Sequence, residues 1–232
     1  MKYVGAELEL FQRARNWKRY FASHLEPFVR GRVLDVGCGM GANAEYLLNE
    51  RVTSYTFLEP DPGLLSMVAA HVRSTVLVNA ERILGTTEDL PGRRFDTILY
   101  IDVIEHIEAP QAELLRAYDL LEPGGHLLIL VPAFNVLFSP FDKAVGHHRR
   151  YDKSMVRAEL PVVLELVRTV YLDSLGFFLS LGNKALLRKD LPSAKQIRTW
   201  DRMVVPCSRI ADNLVMHTFG RSLVCIAHKP ER

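Results

Sequence analysis

The chain has 232 residues, 48% of them hydrophobic and 24% charged, enough to bury a full core within one domain. Its net charge of +2 excludes a strongly polycationic or polyacidic protein, but the charge is uneven. Residues 1–141 carry 13 basic against 18 acidic side chains (−5), and residues 142–232 carry 16 against 9 (+7).

Three widely separated cysteines, Cys38, Cys207 and Cys225, form no CxxC pair and no Cys/His set of metal spacing, so neither a disulfide framework nor a zinc site is expected. The amphipathic N-terminus MKYVGAELELFQRARNWKRYF has no apolar signal core. The most apolar tract, 172–187, is interrupted by Asp173 and Lys184 and falls short of the roughly 20 residues a spanning helix needs. A cytoplasmic protein with no membrane span is the expectation.

From Arg32 onward, short aliphatic runs alternate with longer helix-like segments, the pattern of a mostly parallel sheet covered on both faces. VLDV (33–36) reads as the first strand, with a helix over 41–49 after it, and SYTFL (54–58) as the second. Asp61-Pro62 starts the next helix, the aspartate as cap and the proline in the first turn. The third strand falls in STVLV (74–78) or ERIL (81–84), and ERIL is preferred because it leads directly into GTTEDLP.

FDTILYI (95–101) is apolar enough to be a central strand, and a helix over 111–121 ends at EPGG before the strand HLLILV (126–131). The connection that follows, PAFNVLFSPFDKAVGHHRRYDK, is long for a loop and marks residues 132–160 as a lid or substrate segment. VVLELVRTVYL (162–172) and SLVCIAHK (222–229) supply two further strands. A helical stretch, AKQIRTWDRMVVPCSRIADNL, lies between them on the outside of the sheet.

Three glycines, Gly37, Gly39 and Gly41, crowd the junction after the first strand, where glycine costs backbone entropy and weakens a helix start. Such a junction presents bare N–H groups and the positive end of a helix at the carboxyl edge of the sheet. Glu59, at the end of the second strand, stands where a carboxylate can accept from both ribose hydroxyls. The pairing points to a cofactor that carries a nucleoside. Gly37, Gly39 and Ala42 also satisfy the GxGxxG/A pattern of nicotinamide-binding folds, so the glycines alone leave the cofactor open.

VLDVGCGMG, then DVIEHI after the fourth strand, then LLEPGGHLLILVP and a closing strand, occur in an order that resembles the class I S-adenosylmethionine-dependent methyltransferases over nearly the whole chain. NWKRYFASHLEPFVRGRVLDVGCGMG, SPFDKAVGHHRRYDK and IRTWDRMVVPCSR further resemble a bacterial subgroup with a GHxRRY segment after strand 5. The resemblance implies one Rossmann-like α/β domain over 1–232, with an N-terminal helical cap at 1–30. Its seven-stranded, mostly parallel sheet has helices on both faces and the last strand antiparallel.

It also implies S-adenosyl-L-methionine as cofactor, S-adenosyl-L-homocysteine as product, and no metal. Asp35 and the Gly37, Cys38, Gly39 and Gly41 loop would surround the methionine portion, and Glu59 with Pro60 the ribose. Asp102 and Val103 would border the sulfonium, while Thr86 and Thr87 would lie by the adenine, where many relatives have an aspartate. The N-terminal helix would bring Asn16, Trp17 and Tyr20 to the pocket.

Methyl transfer from a sulfonium needs an acceptor lone pair in line with the S–CH3 bond and a base for the acceptor's proton. His147 or His148 is expected as that base, with Tyr151 beside them. Arg149 or Arg150, His106 and Phe138 are expected against an anionic or hydroxyl-rich small acceptor. Because neighbours on an extended segment point opposite ways, one histidine and one arginine of the pairs should face the pocket, the other meeting solvent or a carboxylate such as Asp142 or Asp152. Glu105 is expected to order the turn after strand 4. Trp17, Tyr20, Phe134, Phe138, Phe141, Phe177 and Phe178 are candidates for an aromatic acceptor pocket.

The competing readings are an NAD(P)-dependent oxidoreductase and a cofactor-binding module without catalysis. Nucleic acid is not expected as a partner, since no base-flipping signature of the NPPY type follows strand 4. A monomer or homodimer fits the sequence equally.

Overall fold

A computed structural model describes residues 11–71, 80–186 and 193–231. Seven strands form one sheet in the order β3-β2-β1-β4-β5-β7-β6. They are β1 (Gly31–Val36), β2 (Val52–Glu59), β3 (Ala80–Leu84), β4 (Phe95–Ile101), β5 (Leu121–Pro132), β6 (Glu165–Leu172) and β7 (Ser222–His228). The first five pair in parallel, and β7 runs antiparallel to both β5 and β6. The expected fold class is therefore the observed one. ERIL is the third strand as preferred, and STVLV lies outside the described residues.

Alternation along the central strands builds two cores. Val33, Leu99, Ile101, Leu128, Leu130, Val224 and Ile226 point to one face, and Leu34, Ile98, Tyr100, Leu127, Ile129, Leu223 and Cys225 to the other. The first core is covered by helix α1 (Arg15–Leu25), which contributes Trp17, Tyr20, Phe21 and Leu25, and by Trp200 and Val205 from the C-terminal helices. A one-turn helix α2 (Ala44–Leu47) follows β1, and α3 (Pro62–His71) follows β2. The second core is covered by Leu114, Ala117 and Leu120 of α4 (Pro110–Leu120).

The helix expected over 41–49 shortens to α2 because Gly39 and Gly41 adopt positive φ (+56° and +70°) and Gly41 N–H donates to Cys38 O at 2.9 Å, so the chain is still turning where a helix was expected to begin. With one turn of helix there is no macrodipole of consequence at this junction. Asp61 does cap α3, accepting from the N–H groups of Gly63 (2.7 Å) and Leu64 (3.1 Å).

After β5 come α5 (Pro140–Ala144) and α6 (Lys153–Glu159), the latter capped by Asp152, which accepts from Met155 N–H. Helix α7 (Ser174–Leu186) follows β6. Helix α8 (Ala194–Thr199) continues through a π-turn (Trp200–Val204) into α9 (Val205–Leu214).

Two buried carboxylates dock α1 onto these C-terminal helices. Asp201 accepts from Trp17 N–H at 2.9 Å. Asp212 accepts from Tyr20 Oη (2.7 Å) and from the N–H groups of Asp173 (2.7 Å) and Ser174 (2.8 Å). All three cysteines are free thiols, and no described helix is long and apolar enough to cross a membrane.

His24 of α1 is enclosed with His217 (ring centroids 5.3 Å apart), facing Tyr20, Arg168, Arg209 and Asp212. Its burial, with Arg168 and His217 adding repulsion, lowers its pKa to about 4. The unfolded chain takes up this proton below about pH 6.5 and the folded chain only near pH 4, so the penalty is absent above 6.5, grows as pH falls and saturates below 4. Urea titrations at pH 7.5 and 4.5 should show a loss of stability on acidification, of which His24→Gln removes about 1–2 kcal/mol.

Candidate active site

The parallel strands end on one edge of the sheet, and there the protein encloses a cavity of about 990 Å³. Gly37 and Gly39 leave β1 with φ of +61° and +56°, a conformation that disfavours any side chain. A Cβ on Gly37 would also stand 2.9 Å from Val103 Cγ2, so the β1 and β4 loops can approach only because that residue is glycine.

Glu59, at the end of β2, is 6% exposed. Its Oε2 accepts from Gly39 N–H at 2.9 Å and its Oε1 from Asp61 N–H at 3.0 Å. Burial raises its pKa, and these two N–H groups oppose the rise. A carboxylate offers about four lone-pair sites, so two remain for a ligand in the cavity.

At the end of β4, Asp102 takes φ +54° and turns its side chain into the cavity. Its side chain is open to the cavity, yet the protein around it raises its pKa to about 6 against the pull of His147, Arg221, Arg150 and Lys18. Lys18 also lines the cavity. Its Nζ donates to Ala42 O at 3.2 Å, and burial lowers its pKa to about 8, opposed by Glu45 and Asp102. Pro60, Thr86, Thr87, Cys38, Val103 and Trp17 complete this side. Thr87 Oγ1 donates to Glu113 Oε2 at 2.9 Å, and Glu113 and Arg116 stand beside it in the wall.

The other side is built around Asp142, a fully buried carboxylate on α5. Its Oδ1 accepts from His147 Nδ1 at 2.9 Å and Arg150 Nε at 2.8 Å. Its Oδ2 accepts from Arg150 Nη2 at 3.1 Å and from Ser139 N–H at 2.9 Å. Although burial alone would raise its pKa, the His147 and Arg150 contacts hold it at about 2. With Nδ1 engaged, the Nε2 of His147 lies toward Glu105, 3.9 Å from its Oε1.

His106 packs edge-on against His147, ring centroids 4.6 Å apart. Burial, with the neighbouring His147, lowers its pKa to about 4, which leaves it neutral near pH 7. His148 lines the cavity at an exposed position, its N–H donating to Glu105 O at 2.8 Å.

Several expected residues do not face the cavity, each for a physical reason. Asp35 lies beneath the glycine loop, where Tyr55 Oη donates to it at 2.9 Å and burial raises its pKa to about 7. Gly41 is spent on the turn back to Cys38. Asn16 donates to Asp201 O, and the Tyr20 hydroxyl is held by Asp212, so both serve the docking of α1. Tyr151 is wholly buried, its backbone bridged to Ala133 and its hydroxyl directed at Ile104 O (3.3 Å), which leaves it no path to an acceptor.

Arg149 donates to Ile107 O and Glu108 O, outside the cavity. Phe138 is absent from the lining, where Leu137 and Phe141 stand instead. Of the remaining aromatic candidates, Phe134 stacks on Tyr171 (4.6 Å) and packs edge-on to Phe177, while Phe178 is 56% exposed. One arginine of the pair, Arg150, reaches the wall as expected, but both histidines do. Gly146, at φ +84°, bends the segment just before them, so the alternation of an extended strand does not apply. Glu105 does not order its turn through its side chain, which makes no hydrogen bond to another residue.

Residues the sequence reading missed are Lys18, Lys184 and Arg221 in the cavity lining, whereas Asp142, expected to meet one histidine or arginine, meets both His147 and Arg150. Arg221 had a signal. A residue that opens an antiparallel last strand arrives at the edge where the parallel strands end.

Residues 9–176 match a family described as a methyltransferase domain. Among curated proteins the chain is similar to a ubiquinone biosynthesis O-methyltransferase of Azorhizobium caulinodans, 30% identical over 153 residues that make up 60% of this chain and 58% of that protein. It is also similar to a tRNA U34 carboxymethyltransferase of Shewanella piezotolerans, 30% identical over 54% of this chain and 38% of that protein. The chain thus spans less than two thirds of the length of these relatives.

Among solved structures, a chain from the complex of the Haloferax volcanii Trm112 methyltransferase activator with a methyltransferase superposes with a TM-score of 0.63, at 17% identity over 93% of this chain and 91% of that one. The N-methyltransferase NodS of Bradyrhizobium japonicum in complex with S-adenosyl-L-homocysteine gives 0.58, at 16% identity over 95% and 88%. These likenesses establish the fold.

The Asp142–Arg150 pair is buried, so removal of one partner leaves the other charge short of a counter-ion. Arg150→Met is expected to cost about 3 kcal/mol, measured by urea denaturation.

Proposed function

The chain belongs to the methyltransferase domain family, and from that premise we propose that it moves the sulfonium methyl group of S-adenosylmethionine to a small-molecule acceptor bound in the same cavity. One observation carries the reading. A single concave space of about 990 Å³ joins the glycine loop, Glu59 and Asp102 to the imidazoles of His106, His147 and His148. A space of that kind suits a cofactor and a compact acceptor side by side.

In this reading Glu59 accepts from the ribose hydroxyls with the lone pairs that Gly39 and Asp61 leave free. Thr86 and Thr87 lie by the adenine, and Lys18 meets the methionine carboxylate beside the loop it already contacts at Ala42. Asp102, the first acidic group past β4, faces the sulfonium cation. Segment 11–30 acts as a cap and segment 132–160 as a lid over one domain.

The acceptor's lone pair attacks the methyl carbon as the S–C bond breaks, and S-adenosylhomocysteine leaves with the electron pair. A hydroxyl or amine acceptor gives its proton to the His147–His148 pair. Arg221 and Lys184, lining the acceptor side, favour an acceptor with an anionic group. The family match weighs against the nicotinamide alternative, and the non-catalytic module is an outcome of the test.

Incubation with methyl-labelled S-adenosylmethionine and, separately, the low-molecular-weight fraction of a bacterial extract or total tRNA should place label in the small-molecule fraction. His148→Ala should lower that turnover by about 100-fold with cofactor affinity unchanged. Label confined to tRNA would reject the small acceptor, and label in neither would favour the non-catalytic module.

Glu59→Ala is expected to weaken S-adenosylhomocysteine binding by about 1–3 kcal/mol in calorimetry. An unchanged affinity would remove the ribose assignment.

A further inference from the structure

The reading above leaves the Glu105 side chain unexplained. It is fully buried in the cavity wall, and neither of its carboxylate oxygens has a hydrogen-bond partner on another residue. A carboxylate in that position is costly unless something positive meets it. Arg150, a cation on this side, is spent on Asp142. Lys18 is turned to Ala42 O, and Arg221 lies over the Trp200 ring, 3.8 Å from Asp173.

Two imidazoles do surround Glu105. His106 follows it in the turn after β4, and His147 arrives from the β5–β6 connection. One ligand atom from each of Glu105, His106 and His147 lies within 4.8 Å of the others.

Both rings are already held as metal-bound imidazoles are held. Asp142, kept ionised, takes the Nδ1–H of His147 and leaves Nε2 on the Glu105 side. The backbone of Gly146 hydrogen-bonds the ring of His106. A carboxylate or carbonyl behind each imidazole fixes its tautomer and direction. Two imidazoles and one carboxyl group, with the remaining directions open to a cavity, form a donor set suited to a divalent first-row cation that keeps positions free for a substrate.

We propose that Glu105, His106 and His147 bind a divalent first-row transition-metal cation, with the oxygen of the acceptor entering its open coordination positions. Metal–ligand bonds of ~2.0–2.2 Å draw such donors to roughly 3–3.5 Å of one another, so the three side chains close by about 1 Å when the ion enters. The cation site stands on geometry; its use in catalysis rests on the methyl-transfer reading. There it divides labour within the histidine pair. The ion lowers the pKa of the bound hydroxyl, His148 at the exposed rim carries the proton to solvent, and His147 serves as a ligand. The resulting oxyanion then forms the bond to the methyl carbon.

The test uses full-length protein stripped of metal with a chelator and titrated with Co²⁺. Visible d–d absorption follows the site, and S-adenosylhomocysteine calorimetry runs in parallel. The expectation is one saturable Co²⁺ site per chain, weakened at least tenfold by Glu105→Gln and by His106→Ala and retained in His148→Ala. S-adenosylhomocysteine affinity should be equal in all four proteins, which also shows that the variants fold.

Absence of saturable Co²⁺ binding in protein that binds S-adenosylhomocysteine would overturn the cation site and leave the methyl-transfer reading standing. Binding that survives both substitutions would likewise overturn it, placing the ion elsewhere, such as the His126–His228 pair with rings 5.1 Å apart. Co²⁺ binding without S-adenosylhomocysteine binding would count against methyl transfer alone.

Discussion

Carboxylates withdrawn from water at the carboxyl edge of the sheet are the constraint on which the rest of the site depends. A parallel sheet covered on both faces leaves only its strand ends open, so acidic residues in the loops there lose much of their hydration. Each one has to be met by donors or remain a liability. Glu59 is met by two backbone N–H groups, which also fix the glycine loop. Asp142 is met by His147, Arg150 and Ser139, and in return it ties the β5–β6 connection together. Asp102 is met at a distance by several cations, and Glu105 by no donor on another residue. The order of satisfaction runs from scaffold to chemistry: the fully bonded groups hold shape, and the incompletely bonded ones face the space where ligands go.

Much of the fold could be read from the chain because its strands are apolar on both faces. VLDV, FDTILYI and HLLILV announce central strands without ambiguity, and the observed β1, β4 and β5 contain them. The boundaries that moved did so for local reasons. Left-handed glycines delayed the first crossover helix to Ala44, and Pro110 placed the start of α4 one residue earlier than expected. The interruption of the last helical stretch by a π-turn at Trp200–Val204 had no visible sequence signal. In the structure the Trp200 indole N–H reaches Asp173 at 2.8 Å, a contact between segments far apart in sequence.

The site was less readable than the fold, because spacing reports neighbours along the chain and not neighbours in space. The glycine loop and Glu59 could be paired since adjacent parallel strands place their ends side by side. The segment from His147 to Tyr151 could not be sorted without knowing that Gly146 bends it and that Tyr151 pairs with Ala133, donating to Pro132 O and accepting from Phe134 N–H. Asp142 was expected to meet one histidine or arginine of the pairs, with Asp152 as its alternative. Only the fold brings both Arg150 and His147 onto it, and together they hold its pKa at about 2. Tyr20 and Asn16 were placed on the correct helix but assigned to the cofactor, whereas buried aspartates from the far end of the chain claim them for docking.

The uneven charge of the two parts of the chain acquires a meaning in this geometry. Acidic groups of the first part, Glu59, Asp102 and Glu105, come from the ends of β2 and β4. Basic groups of the second part, Arg150, Lys184 and Arg221, arrive from the β5–β6 connection, from α7 and from just before β7. The antiparallel direction of β7 is what delivers Arg221 to the same edge as the others. One cavity is therefore lined by acidic groups of the first part and basic groups of the second. In the methyl-transfer reading that lining suits a cationic donor next to an anionic acceptor. In that reading, transfer of the methyl group would turn the sulfonium into a neutral thioether, and the product would lose the attraction that Asp102 offers the donor.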